Sequence, residues 1–265
     1  MTAVRRMVMG FAVLIVSFPY AWVVLSAFKG PADLSSPSRV VFDPTVDNWR
    51  EVAEGGIFQS AGTSLLVAGV TVGLSLVAGT MAAYGISRWR AGGPVTRFGI
   101  LLSEVMPPAV LVVPLFLVAF RLELRDTIWA VIASHLTFVL PVVTWFMIGF
   151  FDAVPRELEE QALVDGYGRF RAFHKVVLPQ VLPGVGAAGI FGFVLSWNDL
   201  FYALVLAGGR AKTLPVAIAG FNTFRGVELG AMSAAILVSV IPVLAASFFV
   251  QKRLIRGISA GGLKG

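Results

Sequence analysis

The residue types that carry most enzyme chemistry are scarce in this sequence. Its 265 residues contain no cysteine, which excludes thiol catalysis, disulfides and cysteine-ligated metal sites, and they contain only two histidines. The ionisable residues inside long apolar stretches are Glu104, His135 and Asp199, and each lies on a different stretch. Catalytic groups must meet within hydrogen-bond reach of one another. This pattern therefore predicts no catalytic, metal or cofactor site in the chain.

The composition indicates a membrane protein. Hydrophobic residues make up 57% of the chain and charged residues only 14%, with a mean hydropathy of +0.84. Soluble domains contain roughly 45–50% apolar and about 25% charged residues. The polar surface is too small to cover a water-facing sphere, which excludes a soluble enzyme, a disordered chain and a nucleic-acid binder.

Six stretches are long and apolar enough to cross a bilayer as helices, which requires about 20 residues each. The first could be read as a signal peptide, but the 22 uncharged residues from Met7 to Phe28 exceed the core of such a peptide and favour an uncleaved anchor. The dense prolines at Pro107, Pro108 and Pro114 predict a bend in the third span. The predicted spans cover residues 7–28, 60–86, 98–120, 127–151, 184–206 and 229–250.

The distribution of basic residues predicts the orientation. With the N-terminus inside, thirteen of the 21 Lys and Arg residues fall in the inner segments, whose net charge is +8, while the outer loops sum to zero. Positive residues accumulate in cytoplasmic loops and are attracted to anionic lipid. We therefore expect both termini in the cytoplasm, membrane lipid as a partner, and one transmembrane domain over residues 1–265.

The inner loop over residues 152–183 carries the most specific pattern. Pro155 suits a helix start, acidic residues crowd the first turns, and Gly166 suits a helix end. Phe170, Phe173 and Val177 then share one helical face, and Pro179 is expected to end that run. Two short amphipathic helices around a glycine corner are predicted. Such helices can lie in the lipid headgroups, but the acidic exposed side of the first favours a cytoplasmic protein partner.

This loop resembles the signature of ABC-importer permeases, in which Glu-Ala-Ala is followed at fixed spacing by Gly, a branched aliphatic residue and Leu-Pro. Gln161 stands where the family usually has Ala. Further stretches resemble the sugar importers that depend on a binding protein, specifically the second permease subunit of the maltose type, and the resemblance runs from Asn48 to Gly265. The matching loop residues are Glu160, Gln161, Ala162, Gly166, Val176, Leu178 and Pro179; the further stretches are 82–90, 106–118, 196–206 and 257–265.

The resemblance implies an all-α membrane protein with the type I ABC importer permease fold, six transmembrane helices and a cytoplasmic coupling helix. It implies a non-catalytic subunit of the bacterial plasma membrane. Its expected partners are a second, homologous permease, two copies of a cytoplasmic ATPase that bind ATP and Mg²⁺, and an extracytoplasmic protein that delivers a sugar. The sequence contains no Gly-x4-Gly-Lys-Ser/Thr phosphate loop of its own.

Four groups of residues are candidate sites. The coupling helix and its corner, and the tail directed toward the ATPase, follow from the resemblance. Trp197, Asn198 and Asp199 lie in the predicted fifth span, either along the translocation path or in a structural hydrogen-bonding cluster, because a charge inside the membrane must face the bundle interior or a watery cavity. Phe221 and Asn222 lie in an outer segment that either dips back toward the cavity or reaches toward the docked binding protein, and they are the candidates for facing that protein. The coupling candidates are Glu160, Gln161, Ala162, Asp165 and Gly166, and those of the tail are Gly261, Gly262 and Lys264.

An ion-coupled secondary transporter is the alternative function, because it would have the same composition. Such a transporter is expected to show more intramembrane charge and recognisable repeats, whereas this chain shows no obvious repeat. No Lys or Arg lies inside a predicted span, which favours a neutral sugar or oligosaccharide as the substrate.

Overall fold

The computed structural model describes residues 2–36, 39–224 and 226–261, which are almost entirely helical. The elements follow the chain as α1 Thr2–Ala27, α2 Pro31–Leu34, α3 Asp47–Glu54, α4 Ile57–Trp89, α5 Gly93–Val105, α6 Pro108–Arg121, α7 Ile128–Ala153, α8 Arg156–Val164, α9 Arg169–Ala172, a π-helical turn Phe173–Val177, α10 Leu178–Trp197, α11 Phe201–Leu206, α12 Leu214–Ala219, the hairpin strands β1 Asn222–Thr223 and β2 Gly226–Val227, and α13 Leu229–Gly261.

The helices confirm the predicted membrane architecture. Within the described residues, five helices are long and apolar enough to span, and α5 with α6 makes a sixth candidate that is bent by 90°. The bend falls at Met106 and Pro107, as the proline pattern predicts, because proline removes a backbone donor and clashes with the preceding turn. The segment between α1 and α4 contains the short helix α3, which begins at Asp47.

The predicted fifth span has the wrong boundaries. Instead of covering residues 184–206, a continuous helical stretch runs from Arg169 to Trp197, and the short α11 follows after a break. Pro179 does not end the run; it lies in the first turn of α10, directly after the π-helical turn that widens the backbone. The second loop helix is therefore the start of the span rather than a separate surface helix.

The described residues form two compact units. One consists of Met1–Gly62 and Leu214–Pro242, and the other of Thr63–Thr213 and Val243–Gly265. The expectation of one transmembrane domain over residues 1–265 stays a prediction.

In the second unit the core is built around α7. Val139, Val143, Met147 and Phe151 lie on one side of this helix and are buried against α4 and α10. Small residues allow the close crossings: a Cβ added to Gly192 of α10 would lie 3.0 Å from Val139 Cγ1. Small residues at helix contacts are typical of packing in membranes, where apolar surface alone gives no drive to associate.

In the first unit a buried lysine and asparagine hold the turn after α1. Lys29 is 1% exposed; its Nζ donates to the Arg39 carbonyl at 2.6 Å and lies 4.9 Å from the ring centroid of Trp22. Asn48 of α3 donates to the Ala27 and Lys29 carbonyls at 3.1 and 2.9 Å. These bonds satisfy carbonyls at the end of α1 that have no partner within the helix.

Candidate functional site

The predicted coupling helix is α8, and it has one buried and one exposed face. Ala162 and Glu159 are buried, at 4% and 8% exposure, whereas Glu160 and Gln161 are exposed. Residues three apart share a helix face, which places Glu159 and Ala162 together against the rest of the second unit. The helix therefore presents the side chains of Glu160 and Gln161 outward.

The corner after α8 has the geometry that the sequence predicted. Gly166 has a φ of +84°, in the left-handed region that glycine adopts without steric cost. The Tyr167 N–H donates to the Ala162 carbonyl at 3.0 Å and the Gly166 N–H to the Leu163 carbonyl at 3.1 Å. Such bonds close helix ends and satisfy carbonyls that lack a partner within the helix. Asp165 is the C-terminal cap residue and is exposed.

A buried polar cluster anchors α8 to α4. Glu159 Oε2 lies 3.1 Å from Arg88 Nε, with side-chain exposures of only 11% and 5%, and the Tyr84 hydroxyl donates to Glu159 Oε1. Both terminal nitrogens of Arg88 donate to the Val154 carbonyl, at 3.1 and 3.0 Å. A buried charge is tolerated when it is paired and hydrogen-bonded. Glu159 and Arg88 therefore fix the buried face of the helix.

Sequence reasoning missed Glu159, Arg88 and Tyr84. The available signal was the three-residue spacing between Glu159 and Ala162, which places the acid on the same face as the small residue. The partners in α4 gave no signal, because they lie about 70 positions earlier and only the packing brings them together.

A second, more exposed set of polar groups surrounds this cluster. The Ser87 hydroxyl donates to Asp152 Oδ1 at 2.5 Å, and Arg97 of α5 forms an ion pair with Asp152 Oδ2 at 3.0 Å. Arg156, the first residue of α8, donates to the Ser87 carbonyl at 3.0 Å. The ends of α4, α5, α7 and α8 are therefore tied together at one place.

Asp199 is not inside a span; it lies in the break between α10 and α11. Asn198 is exposed and donates to the Val194 carbonyl at 2.8 Å, while Asp199 Oδ2 accepts from the Ala203 N–H at 3.1 Å. Asn and Asp side chains compete with the helix for backbone hydrogen bonds and are therefore favoured at helix ends. The sequence prediction overlooked this capping chemistry within an apolar stretch.

His135 of α7 is the partner of Asp199. Its Nε2 lies 3.1 Å from Asp199 Oδ2 and its Nδ1 lies 2.7 Å from the Ser196 hydroxyl. An Nε2–H tautomer donates to the carboxylate and accepts from Ser196, so every polar atom of this 1% exposed ring has a partner. Trp197 is buried at 2% exposure and stacks on Phe193. These contacts favour the structural interpretation of the cluster, and its place on the translocation path stays a prediction.

The outer segment of the second unit is held by Asp126. Its carboxylate accepts from the N–H groups of Gly208, Arg210 and Ala211 at 2.7, 3.1 and 3.0 Å. Desolvation alone would raise the pKa of this carboxyl, but these donors and the Arg210 charge lower it below its ordinary value.

The other outer candidates lie in the first unit. Phe221 is half-buried and Asn222 is exposed, where Asn222 opens the β1–β2 hairpin and pairs with Val227. Phe224 at the hairpin tip is fully exposed.

The predicted tail is only partly described. Gly261 is the last residue of α13, whereas Gly262 and Lys264 lie outside the described residues. Within residues 2–36, 39–224 and 226–261, no group of three or more His, Asp or Glu side chains is placed to hold a metal ion. The expectation that the chain binds no cofactor stays a prediction.

Comparison with known proteins agrees with this architecture. A family model described as "binding-protein-dependent transport system inner membrane component" matches residues 75–260. The trehalose transport system permease protein SugB of Mycobacterium tuberculosis is 33% identical over 264 residues, which are 98% of this chain and 95% of that protein. The diacetylchitobiose uptake system permease protein DasC of Streptomyces coelicolor is 31% identical over 253 residues, covering 94% and 92%.

The fold is also that of a solved importer. A chain of a bacterial ABC transporter involved in the import of the acidic polysaccharide alginate matches with a TM-score of 0.76 at 21% identity, with 95% of each chain covered. The matched family residues contain α7, the whole of α8 and its corner, and α10. The chain is therefore a multi-pass plasma-membrane protein and belongs to the binding-protein-dependent transport system inner membrane components, the permease subunits of ABC importers.

Proposed function

We propose that this chain is one permease subunit of an ATP-driven importer for a sugar or oligosaccharide, that it forms half of the translocation pathway, and that it carries no catalytic activity of its own. The observation that carries the proposal is the two-faced helix α8. One face is fixed to the second unit by Glu159 and Ala162, and the other presents Glu160 and Gln161 to a partner.

The partner of α8 is proposed to be a cytoplasmic ATPase, present in two copies, which binds ATP and Mg²⁺. A helix anchored through a buried ion pair moves together with the helix that holds the other charge. Closure of the ATPase around Glu160 and Gln161 would therefore displace α4 through Glu159 and Arg88. The turn at Asp165 and Gly166 directs the chain back to the membrane, and the tail at Gly261, Gly262 and Lys264 adds to the same interface.

A second, similar permease is proposed to complete the pathway, and an extracytoplasmic binding protein to deliver the substrate. Phe221, Asn222 and the exposed Phe224 are the proposed contact for that protein. Exposed aromatic residues are enriched at protein interfaces. The relatives named for trehalose and diacetylchitobiose support a neutral disaccharide as the substrate class.

The break that contains Trp197, Asn198 and Asp199 is the proposed contribution of this chain to the path. Asp199 has a structural role there, because it accepts a hydrogen bond from the first turn of α11 and also contacts His135 of α7. Asn198 is the exposed polar side chain of the three, and while its Nδ2 donates to the Val194 carbonyl its amide oxygen can accept from a sugar hydroxyl.

The test is uptake by the complete importer in proteoliposomes, with the binding protein outside and ATP inside. ATP-dependent accumulation of labelled trehalose or diacetylchitobiose is expected, with no uptake when either ATP or the binding protein is omitted. Uptake driven by a proton or sodium gradient without ATP would refute the proposal and favour a secondary transporter.

Two glycine variants test the role of the corner. Gly166 has a φ of +84° and Gly168 a φ of −68°, and an added Cβ meets nothing within 4 Å at either position. Gly166→Val should therefore strain the corner by about 1–2 kcal/mol or more and reduce both transport and substrate-stimulated ATPase activity. Gly168→Val is the matched control and should retain both activities. Normal transport by a correctly inserted Gly166→Val variant would show that the corner has no mechanical role.

A further inference from the structure

A polar cavity of about 460 Å³ lies beside the anchored end of α8. It is formed by the end of α4, the turn into α5, the last residues of α7 and the first residue of α8. The ion pair between Arg88 and Glu159 that anchors α8 does not line this cavity. Its lining residues are Ile86, Ser87, Arg90, Gly93, Pro94, Arg97, Asp152 and Arg156.

The cavity carries an excess of positive charge. Three arginine side chains line it against one carboxylate, that of Asp152. This carboxylate already accepts from Ser87 and Arg97, and Arg156 donates to a neutral carbonyl. Among the described residues, two of these positive charges therefore have no anion beside them, which favours an anionic ligand with several acceptor oxygens.

Arg90 is an exposed residue at the edge of the cavity, and two of its features fit a ligand. Within the part of the chain that the structure describes, its guanidinium has neither an ion-pair partner nor a hydrogen-bond partner. Its backbone φ is +52°, in the left-handed region that non-glycine residues rarely adopt. Strained residues of this kind concentrate at ligand-binding sites. The strain here places a long cation at the edge of the cavity, where a glycine would fit the backbone better.

The surroundings of the cavity point to a lipid rather than a soluble anion. Trp89 ends α4 and is 54% exposed, and Val95 and Phe98 in the first turns of α5 are 78% and 65% exposed. Tryptophan is enriched at the membrane interface, and basic pockets between membrane helices on the cytoplasmic side hold anionic headgroups. The charge of the inner segments places this end of the unit in the cytoplasmic leaflet.

We propose that the cavity formed by Arg90, Arg97 and Arg156 binds the phosphate of an anionic phospholipid from the cytoplasmic leaflet. The phosphate bridges Arg90 of the α4–α5 turn and Arg97 of α5 to Arg156, the first residue of α8. The bound lipid thereby steadies the N-terminal end of α8. This effect on coupling rests on the proposed function, whereas binding of the lipid does not depend on it.

The experiment is native mass spectrometry of the purified, delipidated importer titrated with phosphatidylglycerol, phosphatidylcholine and inorganic phosphate in separate arms. Wild type should bind phosphatidylglycerol saturably and more tightly than phosphatidylcholine. Arg90→Gln should weaken phosphatidylglycerol about fivefold, the contribution of one basic residue near an anionic surface. Arg90→Lys keeps both the charge and the backbone strain and should bind like wild type. Arg5→Gln, which removes a charge from another inner segment, is the matched control and should also bind like wild type.

Several outcomes overturn the proposal. Equal binding of the two lipids by wild type, or unchanged binding by Arg90→Gln, would show that this cavity is not the lipid site. Displacement of phosphatidylglycerol by equimolar inorganic phosphate would assign it to a soluble anion. A complete importer that binds no phosphatidylglycerol, when the same permease pair without its ATPase subunits does bind it, would assign the cavity to an acidic segment of that partner. The comparison of the two lipids on wild type remains decisive should Arg90→Gln fail to assemble.

A second readout separates this inference from the proposed function. ATP-driven uptake should be faster in vesicles that contain phosphatidylglycerol than in pure phosphatidylcholine vesicles, and Arg90→Gln should abolish the difference. Lipid binding with no effect on uptake would refute the link to coupling while leaving the site intact. Failure of uptake in every vesicle, with lipid binding retained, would count against the proposed function alone.

Discussion

The ion pair between Arg88 and Glu159 gives the sharpest test of how α8 is held. The two atoms are 3.1 Å apart, and the side chains are 5% and 11% exposed. Arg88→Met would leave the Glu159 carboxylate buried without its ion-pair partner, and would leave the Val154 carbonyl without its two guanidinium donors. Breaking a buried pair on one side costs about 3–5 kcal/mol. We therefore expect Arg88→Met to be strongly destabilising.

A second substitution distinguishes a lost charge partner from lost packing. In the double variant Arg88→Met with Glu159→Gln, the buried charge is gone and the Gln oxygen still accepts from Tyr84. The double variant should recover about 1–3 kcal/mol relative to Arg88→Met, since an unpaired buried charge is more costly than a neutral amide. Non-additivity of this kind is expected for residues in contact.

The assay is thermal unfolding of the purified importer in detergent, compared as a rank order of apparent Tm. The control is Arg50→Met, which removes an ion pair with Asp47 whose side chains are 72% and 75% exposed; exposed pairs contribute about 0–1 kcal/mol. The expected order is wild type and Arg50→Met highest, the double variant intermediate and Arg88→Met lowest. If Arg88→Met melts at the same temperature as Arg50→Met, or if the double variant melts below Arg88→Met, Glu159 is not held as a buried charge.

Two further predictions concern packing and pH. A Cβ at Gly184 would lie 2.6 Å from Cδ1 and Cδ2 of the Phe150 ring, whereas one at Gly186 meets nothing within 4 Å. Gly184→Ala should therefore lower the apparent Tm, and the control Gly186→Ala should not. Equal apparent Tm values for the two variants would refute this contact between α7 and α10. Asp126 has a pKa below its ordinary value of 3.8, so its carboxylate stabilises the folded state above that pH, and the contribution is lost as pH falls through the lower folded value. Asp126→Asn should reduce stability at pH 7 and flatten this acid dependence, and an unchanged pH profile would contradict it.

Much of the architecture could be predicted from the sequence because it depends on local chemistry. The spans were predictable because the apolar stretches are long enough to cross a bilayer. The bend at Met106 and Pro107 was predictable because adjacent prolines remove backbone donors and clash with the preceding turn. Gly166 was predictable for the same reason, since a helix end with a left-handed residue favours glycine regardless of the rest of the fold.

The fifth span shows where local reasoning failed. Its apolar residues do not reveal that Asn198 and Asp199 bond the backbone and end the helix at Trp197, or that the π-helical turn carries the helix through Pro179. Hydropathy averages over these polar residues, whereas helix ends depend on single hydrogen bonds.

The sequence by itself determined the class of protein, most of its spans, the glycine corner and, through the spacing of its loop motif, the permease family. Only the tertiary structure decided which acid of α8 is anchored, that Asp199 meets His135, and that three arginines line one cavity. The first group follows from hydrophobicity, charge and turn chemistry read over neighbouring residues. The second follows from contacts between residues 75 and 64 positions apart in the chain. Such contacts depend on how the helices pack and on which charged groups are desolvated.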